Sequence, residues 1–182
     1  TNFMATNPEV MKRTVDTKGE NLLAGLKNML SDISRGQVTQ SPEGAFELGR
    51  NLATTPGKVI YETRLFQLIH YAPTTGEVLE TPLVIFPPWI NKFYILDLKP
   101  ENSLIRWIVD QGYTLFVVSW INPGPDYRDV GMDTYIEEGF LEAVRVAKEI
   151  TGQKQVNAVG YCIAGTTLNL TLALLKKRGD KS

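Results

Sequence analysis

Apolar side chains in the first 40 residues recur at the spacing of an amphipathic helix. Asn7 followed by Pro8 predicts a helix start, because asparagine caps the first turn and proline fits the first helical position. Gly36 predicts the end of the helical region, and we expect Gly19 to divide it into two helices. We therefore predict a helical segment over residues 1–40, at the end of an upstream N-terminal domain. Its apolar side is formed by Leu22, Leu26, Met29, Leu30 and Ile33.

The next 30 residues contain both helix and strand signals. The sequence SPE at residues 41–43 predicts the first turn of a short helix that continues to about Leu48. Apolar and polar residues then alternate over residues 58–71, which predicts two strands joined by a turn near Thr63. We expect this strand pair to form the antiparallel edge of a larger sheet.

Three apolar runs alternate with three helical patterns from residue 82 onward. The first two runs predict buried strands, the third predicts the last strand, and the patterns that follow them predict helices. Such alternation is typical of βαβ units, so we predict an α/β fold in which a mostly parallel sheet carries helices on both faces. The predicted strands lie at 83–86, 114–120 and 155–161, and the predicted helices at 100–112, 133–152 (capped by Asp133) and 163–177.

Composition indicates a globular protein and argues against several functions. The 182 residues are 43% hydrophobic and 21% charged, which is enough apolar material for one core. A net charge of −1 gives no reason to expect nucleic acid as a partner, and no apolar run approaches the roughly 18 residues that span a membrane. The N-terminus lacks the basic and apolar regions of a secretory signal. A single cysteine fits a reducing cytoplasm, and together with a single histidine it argues against a zinc site.

The segment VNAVGYCIAGTTL, residues 156–168, has the pattern of a nucleophile elbow, a sharp turn between a strand and a helix that holds a catalytic residue in α/β-hydrolases. Cys162 occupies the nucleophile position. Strand and helix cross closely at such a turn, so the flanking residues must be small, as Gly160 and Ala164 are. Glycine is more usual than alanine at the second position. The alternative is that Cys162 is a small buried residue, as most free cysteines are.

Two backbone N–H groups are expected to form the oxyanion hole, which stabilises the negative oxygen of an acyl-transfer intermediate. One belongs to Ile163, at the start of the helix after Cys162. The other comes from the loop PPWINKF after an earlier strand, in which Pro87 and Pro88 have no N–H. The second N–H group must therefore come from Trp89, Ile90 or Asn91, and we favour Ile90.

The base that should activate the thiol is missing from its expected place. In this fold the nucleophile is followed along the chain by an acid and then by a histidine. The only histidine, His70, precedes Cys162 and lies in a predicted edge strand, so we interpret it as an ordinary strand residue. Asp180 is the only acid after Cys162. We therefore expect residues 41–182 to be the first half of a truncated α/β-hydrolase catalytic domain, cut from a longer protein.

Six segments follow one another in order over nearly the whole chain: TNFMATNPEV, GRNLATTPGKVIYE, FQLIHYAP, PPWINKFYILDLKPENSLIRWIVDQG, LFVVSWINP and VNAVGYCIAGTTL. They resemble the polyhydroxyalkanoate synthases, most closely the class I enzymes, and the block INKFYILDL with a Gly-x-Cys elbow is the most specific of them. The resemblance implies an acyltransferase that polymerises (R)-3-hydroxyacyl-CoA, such as 3-hydroxybutyryl-CoA, into polyhydroxyalkanoate with release of CoA. It also implies that Cys162 holds the growing chain as a thioester and that the Asp and His of the triad lie beyond Ser182.

The resemblance also implies partners and a location. CoA enters with the substrate, and no metal or organic cofactor is expected. The implied partners are the growing polyester chain, the granule surface and a second copy in a homodimer, with a cytoplasmic, granule-associated location.

We expect the 182-residue chain alone to be inactive. Two other functions stay open, namely a cysteine hydrolase of the same fold that acts on an ester or lactone, and a catalytically dead granule-binding module.

Three further residues are candidates for substrate binding. Asn91 lies in the oxyanion loop, Asp97 lies in the INKFYILDL block, and Trp120 ends a central strand at the sheet edge where ligands bind in such folds. For Asn91 the alternative is a role in loop structure alone. For Asp97 the alternative is that it caps the helix expected to begin near Pro100.

Overall fold

The computed structural model describes residues 3–42 and 44–180 of the chain. The chain forms two compact units, Thr1–Ala45 and Phe46–Ser182. The change from one unit to the other therefore comes five residues after the end of the helical segment predicted over residues 1–40.

The first unit contains the two predicted helices, α1 (Pro8–Asp16) and α2 (Glu20–Arg35), after a short 3₁₀ turn at Met4–Thr6. The Asn7 side chain accepts the N–H of Glu9 at 3.0 Å, which confirms it as the cap of α1. Gly19 and Gly36 both lie in the left-handed region, with φ of 86° and 68°. Glycine adopts this conformation without a steric penalty, so the predicted break and end of the helices are confirmed at these two residues.

The short helix predicted from residue 41 to Leu48 is absent from the described residues of that stretch, so this prediction is wrong. Glu43, which belonged to its predicted first turn, lies outside the described residues. Gly44, inside the predicted helix, has a φ of 73°, a conformation that the interior of a right-handed helix does not contain. The chain forms turns here instead, and the side chain of Asn51 accepts the N–H of Glu47 at 2.8 Å.

The second unit is built on a five-stranded mixed sheet with the strand order β1-β2-β6-β3-β7. β3, β6 and β7 are parallel, whereas β1 and β2 pair antiparallel and β2 joins β6 antiparallel. The predicted parallel sheet with an antiparallel pair at its edge is therefore confirmed. The strands are β1 (Gly57–Glu62), β2 (Phe66–Tyr71), β3 (Leu79–Phe86), a small separate pair β4 (Asp97–Lys99) and β5 (Asn102–Ser103), β6 (Tyr113–Trp120) and β7 (Asn157–Gly160).

Helices cover both faces of the sheet, as predicted. On one face Phe116 and Val118 of β6 pack with Phe140 and Ala143, and on the other face Val117 packs among residues of a different helix. This alternation follows from the two-residue period of a strand. The helices of the second unit are α3 (Leu104–Asp110), α4 (Met132–Thr134), a π-helical stretch (Tyr135–Leu141), α5 (Glu142–Thr151) and α6 (Ile163–Arg178).

Two predicted helix starts differ from the structure. α3 begins after Ser103, whose hydroxyl accepts the N–H of Arg106 at 2.9 Å, and not near Pro100. α4 begins after Gly131, so Asp133 lies inside the first turn and is not the cap. The cap of α3 therefore lies three residues after the expected start at Pro100, and the residue before α4 lies two positions before Asp133. None of the helices in residues 3–42 and 44–180 is both long and apolar enough to cross a membrane.

Candidate active site

The carboxyl ends of the three parallel strands bring three loops to one edge of the sheet. β3 ends at Phe86, β6 at Trp120 and β7 at Gly160. Phe86 and Gly160 are paired across β3 and β7, and the N–H of Tyr161 donates to the Phe86 carbonyl at 3.1 Å. The loop after β3 and the turn after β7 therefore begin side by side.

Cys162 lies at the junction of β7 and α6 in a strained backbone conformation. Its φ is 56° and its ψ is −126°, a region that residues with a side chain rarely adopt. The side chain is exposed, which contradicts the alternative that Cys162 is a buried core residue. Strain at an exposed nucleophilic residue between a strand and a helix is the geometry of a nucleophile elbow.

Small residues make the elbow possible. A Cβ at Gly160 would lie 2.7 Å from the Ala164 carbonyl oxygen and 2.8 Å from the Gly165 Cα. Both are backbone atoms, so they cannot turn away as a side chain would. Ala164 is fully buried against the core, so its methyl group is accommodated where glycine is the more usual residue.

The first turn of α6 leaves one N–H group next to Cys162. The N–H groups of Ala164 and Gly165 donate to the carbonyls of Tyr161 and Cys162, at 3.2 and 2.9 Å. The N–H of Ile163 has no acceptor among the described residues. It stands at the positive end of the helix dipole, which favours negative charge. The predicted first donor of an oxyanion hole is therefore available.

The loop after β3 narrows the choice of the second donor. The N–H of Asn91 donates to the Pro88 carbonyl at 3.0 Å and closes a turn, so it is already used. In the described part of the chain nothing accepts the N–H of Trp89 or of Ile90. Ile90, the favoured donor, lies in an exposed part of the loop, with its side chain directed largely to solvent.

Trp120 is buried at the end of β6 and does not present an open ring face to the site. Its indole N–H donates to the Pro87 carbonyl at 2.6 Å. Its ring contacts other aromatic rings edge-on or tilted, with centroid distances of 6.4 Å to Trp89, 5.5 Å to Tyr135 and 5.7 Å to Phe140. The structure thus joins Trp120 to the loop after β3.

Asp97 is fully buried below the same loop. Its carboxylate accepts the N–H of Thr55 at 3.2 Å and the Thr55 hydroxyl at 2.8 Å, and its carbonyl accepts the N–H of Ala53. It does not cap α3, whose cap is Ser103. These contacts assign Asp97 to holding residues 53–55 against the INKFYILDL block.

His70 lies on β2, which is separated from β7 by two strands, β6 and β3. Its ring stacks on Phe116 with a centroid distance of 4.7 Å, and burial lowers the pKa of its imidazole. Such packing is typical of an ordinary strand residue, which is how we interpreted His70 from the sequence. The described residues contain no group of three or more His, Cys, Asp or Glu side chains placed to hold a metal ion.

The loops after β3 and β6 are also joined at the surface. The ammonium group of Lys92 donates to the side-chain carbonyl of Asn122 at 2.6 Å.

Two structural contacts that the sequence analysis missed differ in their sequence signal. The Ser103 cap has a sequence signal, a serine directly before an apolar run. The contact of Trp120 with Pro87 has none, because it joins residues 33 positions apart through packing alone.

Residues 1–108 match the sequence profile of the family described as poly-beta-hydroxybutyrate polymerase (PhaC) N-terminus. The chain belongs to the poly-beta-hydroxybutyrate polymerase family. It is 47% identical to the poly(3-hydroxyalkanoate) polymerase subunit PhaC of Cupriavidus necator over 98% of this chain, and 46% identical to the poly(3-hydroxyalkanoate) polymerase of Methylorubrum extorquens over 99%. A more distant relative is the poly(3-hydroxyalkanoate) polymerase subunit PhaC of Haloferax mediterranei, which is 28% identical to this chain. The matched region covers 70% of this chain and 26% of the relative. The chain spans about 30% of the length of the two bacterial relatives.

Proposed function

We propose that this chain carries the nucleophile and the oxyanion hole of a poly(3-hydroxyalkanoate) polymerase with an α/β-hydrolase fold. The observation that carries the proposal is the exposed, strained Cys162 between β7 and α6, in a chain that belongs to this family. The relatives are named poly(3-hydroxyalkanoate) polymerases, which supports an acyltransferase acting on hydroxyacyl groups.

The proposed acylation step begins when the Cys162 thiolate attacks the carbonyl carbon of an (R)-3-hydroxyacyl-CoA thioester. The carbonyl oxygen becomes negative and is stabilised by the N–H groups of Ile163 and Ile90. When the carbonyl re-forms, the carbon–sulfur bond to CoA breaks, and the departing CoA thiolate takes the proton that Cys162 lost. The acyl group is left as a thioester on Cys162.

A thiol suits this chemistry better than a hydroxyl. The attack exchanges one thioester for another, so the acyl group remains reactive. The hydroxyl of a second hydroxyacyl group can then attack it, which forms the ester bond of the polymer and frees the Cys162 thiol. An acyl-serine would be an ester and therefore a weaker donor for chain growth.

We propose that the base and its orienting carboxylate lie outside these 182 residues. His70 is the only histidine of the sequence, and β6 and β3 separate its strand from β7. By this proposal the 182-residue chain alone does not release CoA. The homodimer, the polyester granule surface, the cytoplasmic location and the substrate contacts of Asn91 and Asp97 stay predictions, whereas Trp120 is buried among aromatic rings and presents no open face to a substrate.

The test uses the whole protein that contains this chain. Purified protein is mixed with 3-hydroxybutyryl-CoA, free CoA is followed with a thiol reagent, and the pelleted product is weighed. We expect CoA release with insoluble polymer, and we expect a Cys162→Ala variant to lose both by at least about a thousandfold, because no other thiol of this chain can form the thioester. Soluble 3-hydroxybutyrate in place of polymer would identify a hydrolase. Polymer formed by the Cys162→Ala variant would contradict the proposal.

A further inference from the structure

The loop that carries the second oxyanion donor is held by one buried side chain. Pro87 and Pro88 start this loop and have no N–H with which to fix it. The carbonyl of Pro87 instead accepts the indole N–H of Trp120 at 2.6 Å, and Trp120 is only 7% exposed. A hydrogen bond shielded from water in this way is hard to replace, because losing it leaves a buried polar group without a partner.

Packing around the indole leaves it little freedom. Trp120 contacts the rings of Phe66, Tyr135 and Phe140, with centroids 5.5 to 6.1 Å away. Gly139 faces the ring from the π-helical stretch, and a Cβ there would lie 3.1 Å from the indole Cη2 and Cζ3 atoms. The close approach of this helix therefore fixes the position of the indole N–H.

The same side chain also contacts the loop beyond its first residue. The ring of Trp89 packs edge-on against Trp120 and lies 5.0 Å from the ring of Tyr135. Trp89 and Ile90 are the two loop residues whose N–H groups have no acceptor in the described part of the chain. Trp120 thus holds the loop on both sides of Pro88, directly before the free N–H groups.

We propose that Trp120 is a positioning residue of the oxyanion hole. Its indole N–H and ring hold residues 87–90 so that a loop N–H faces the carbonyl oxygen of an acyl group reacting at Cys162. This inference rests on the proposed role of Cys162 as an acyl-accepting nucleophile. It assigns Trp120 a role through the loop and not through contact with the substrate.

The first variant is Trp120→Phe in the whole protein, because phenylalanine keeps an aromatic ring but has no N–H to donate. The matched control is Trp107→Phe, which makes the same change on an exposed side chain of α3. Acylation of Cys162 is followed by the release of 4-nitrophenolate from 4-nitrophenyl acetate, which passes through an oxyanion. Alkylation of Cys162 by iodoacetamide, which forms no oxyanion, is measured in parallel.

We expect Trp120→Phe to slow acylation by about 10- to 100-fold, the range for a small misplacement of a catalytic group, with alkylation within about twofold of the wild type. With 3-hydroxybutyryl-CoA the loss should fall on kcat and leave KM nearly unchanged. The Trp107→Phe control should match the wild type in all three assays. A role in stability alone would lower acylation and alkylation together.

A second variant, Gly139→Ala, tests the same inference if Trp120→Phe does not fold. The added methyl group displaces the indole by a few tenths of an ångström without removing any hydrogen-bonding group, and we expect a selective loss of acylation here too. Wild-type acylation in both variants, or parallel loss of acylation and alkylation, would overturn the inference. If wild-type Cys162 is acylated but 3-hydroxybutyryl-CoA is not consumed, the polymerase proposal fails while the variants still test the role of Trp120.

Discussion

At the residue scale, Gly160 meets backbone atoms where any other residue would place its side chain. We predict that Gly160→Ala lowers the free energy of unfolding by about 1–3 kcal/mol, the usual cost of overpacking, because α6 must move away from β7. We also expect loss of CoA release, since the same movement displaces Cys162. Urea unfolding and the CoA assay measure the two effects.

The matched control for this substitution is Gly76→Ala. A Cβ at Gly76 meets no atom within 4 Å, and Gly76 does not lie in the left-handed region. We therefore expect the control to keep the stability and activity of the wild type. Equal urea midpoints for the two alanine variants would show that the contact between Gly160 and α6 is not as close as described.

The position of Cys162 at a turn between a strand and a helix could be predicted from the sequence, whereas the free N–H groups of the loop after β3 could be predicted only in part. Cys162 stands between an apolar run and a helical pattern, with small residues on both sides, and these are local signals. The proline residues exclude two donors by their chemistry. Asn91 is excluded only by its hydrogen bond to Pro88, which depends on how the backbone turns and not on residue type.

At the element scale, a hydrogen bond from Tyr61 joins the edge of the sheet to an ion pair within α5. The hydroxyl of Tyr61 on β1 donates to Glu142 at 2.6 Å, and Arg145 donates two hydrogen bonds of 2.8 Å to the same carboxylate. Hydrogen bonds from Arg145, followed by the one from Tyr61, lower the pKa of Glu142 to about 2 from its ordinary value of 4.5.

We predict that this carboxylate stabilises the fold only where it is ionised. Because its pKa is lower in the folded than in the unfolded protein, its contribution is fully present above about pH 4.5 and is lost as the pH falls toward 2. Glu142→Gln should therefore be less stable than the wild type at pH 7, and the two should converge between pH 4.5 and 2. Urea unfolding at a series of pH values measures the difference.

The control for the pH series is Glu62→Gln. Glu62 also lies on β1, but its carboxylate has no hydrogen bond or ion pair in the described part of the chain, so the loss of its charge should change stability little at any pH. A difference between wild type and Glu142→Gln that stays constant from pH 7 to pH 2 would contradict the assignment to the ionised carboxylate.

Elements with a strong local signal could be predicted, and those decided by single backbone angles could not. The parallel strands are short apolar runs, of which β3 and β6 are largely buried, and this explains why β3, β6 and β7 were correctly expected from residue 82 onward. The helix expected after residue 41 fails because Gly44 turns left-handed inside it. The π-helical stretch Tyr135–Leu141 has a helical pattern too, and the extra residue in its turn leaves no distinct signal.

At the scale of the whole molecule, we expect proteases to cut first near the boundary between the two units. Residues 37–40 form neither helix nor strand, and Phe46, the first residue of the second unit, is 65% exposed. We predict that limited chymotrypsin digestion cuts after Phe46 well before it cuts after Trp107, which is 59% exposed but lies inside α3. Mass spectrometry of the early products should show a fragment that begins at Glu47.

The comparison with Trp107 is informative because the two residues are almost equally exposed. If exposure alone decided cleavage, both sites would be cut at similar rates. First cleavage after Trp107, or within a strand of the five-stranded sheet, would contradict the division into units at residue 45. Sequence patterns placed a boundary after residue 40, five residues before the change between the two units.

The two prolines before Trp89 also affect the free energy of ordering the loop. Each ring restricts the backbone torsion of its residue in the unfolded chain, so less conformational entropy is lost when the loop takes its folded shape. A catalytic loop that is already ordered does not use part of the substrate's binding energy to become so. Pro87 and Pro88 thus provide no hydrogen-bond donors themselves. They do reduce the entropy cost of holding the N–H groups of the next residues in place.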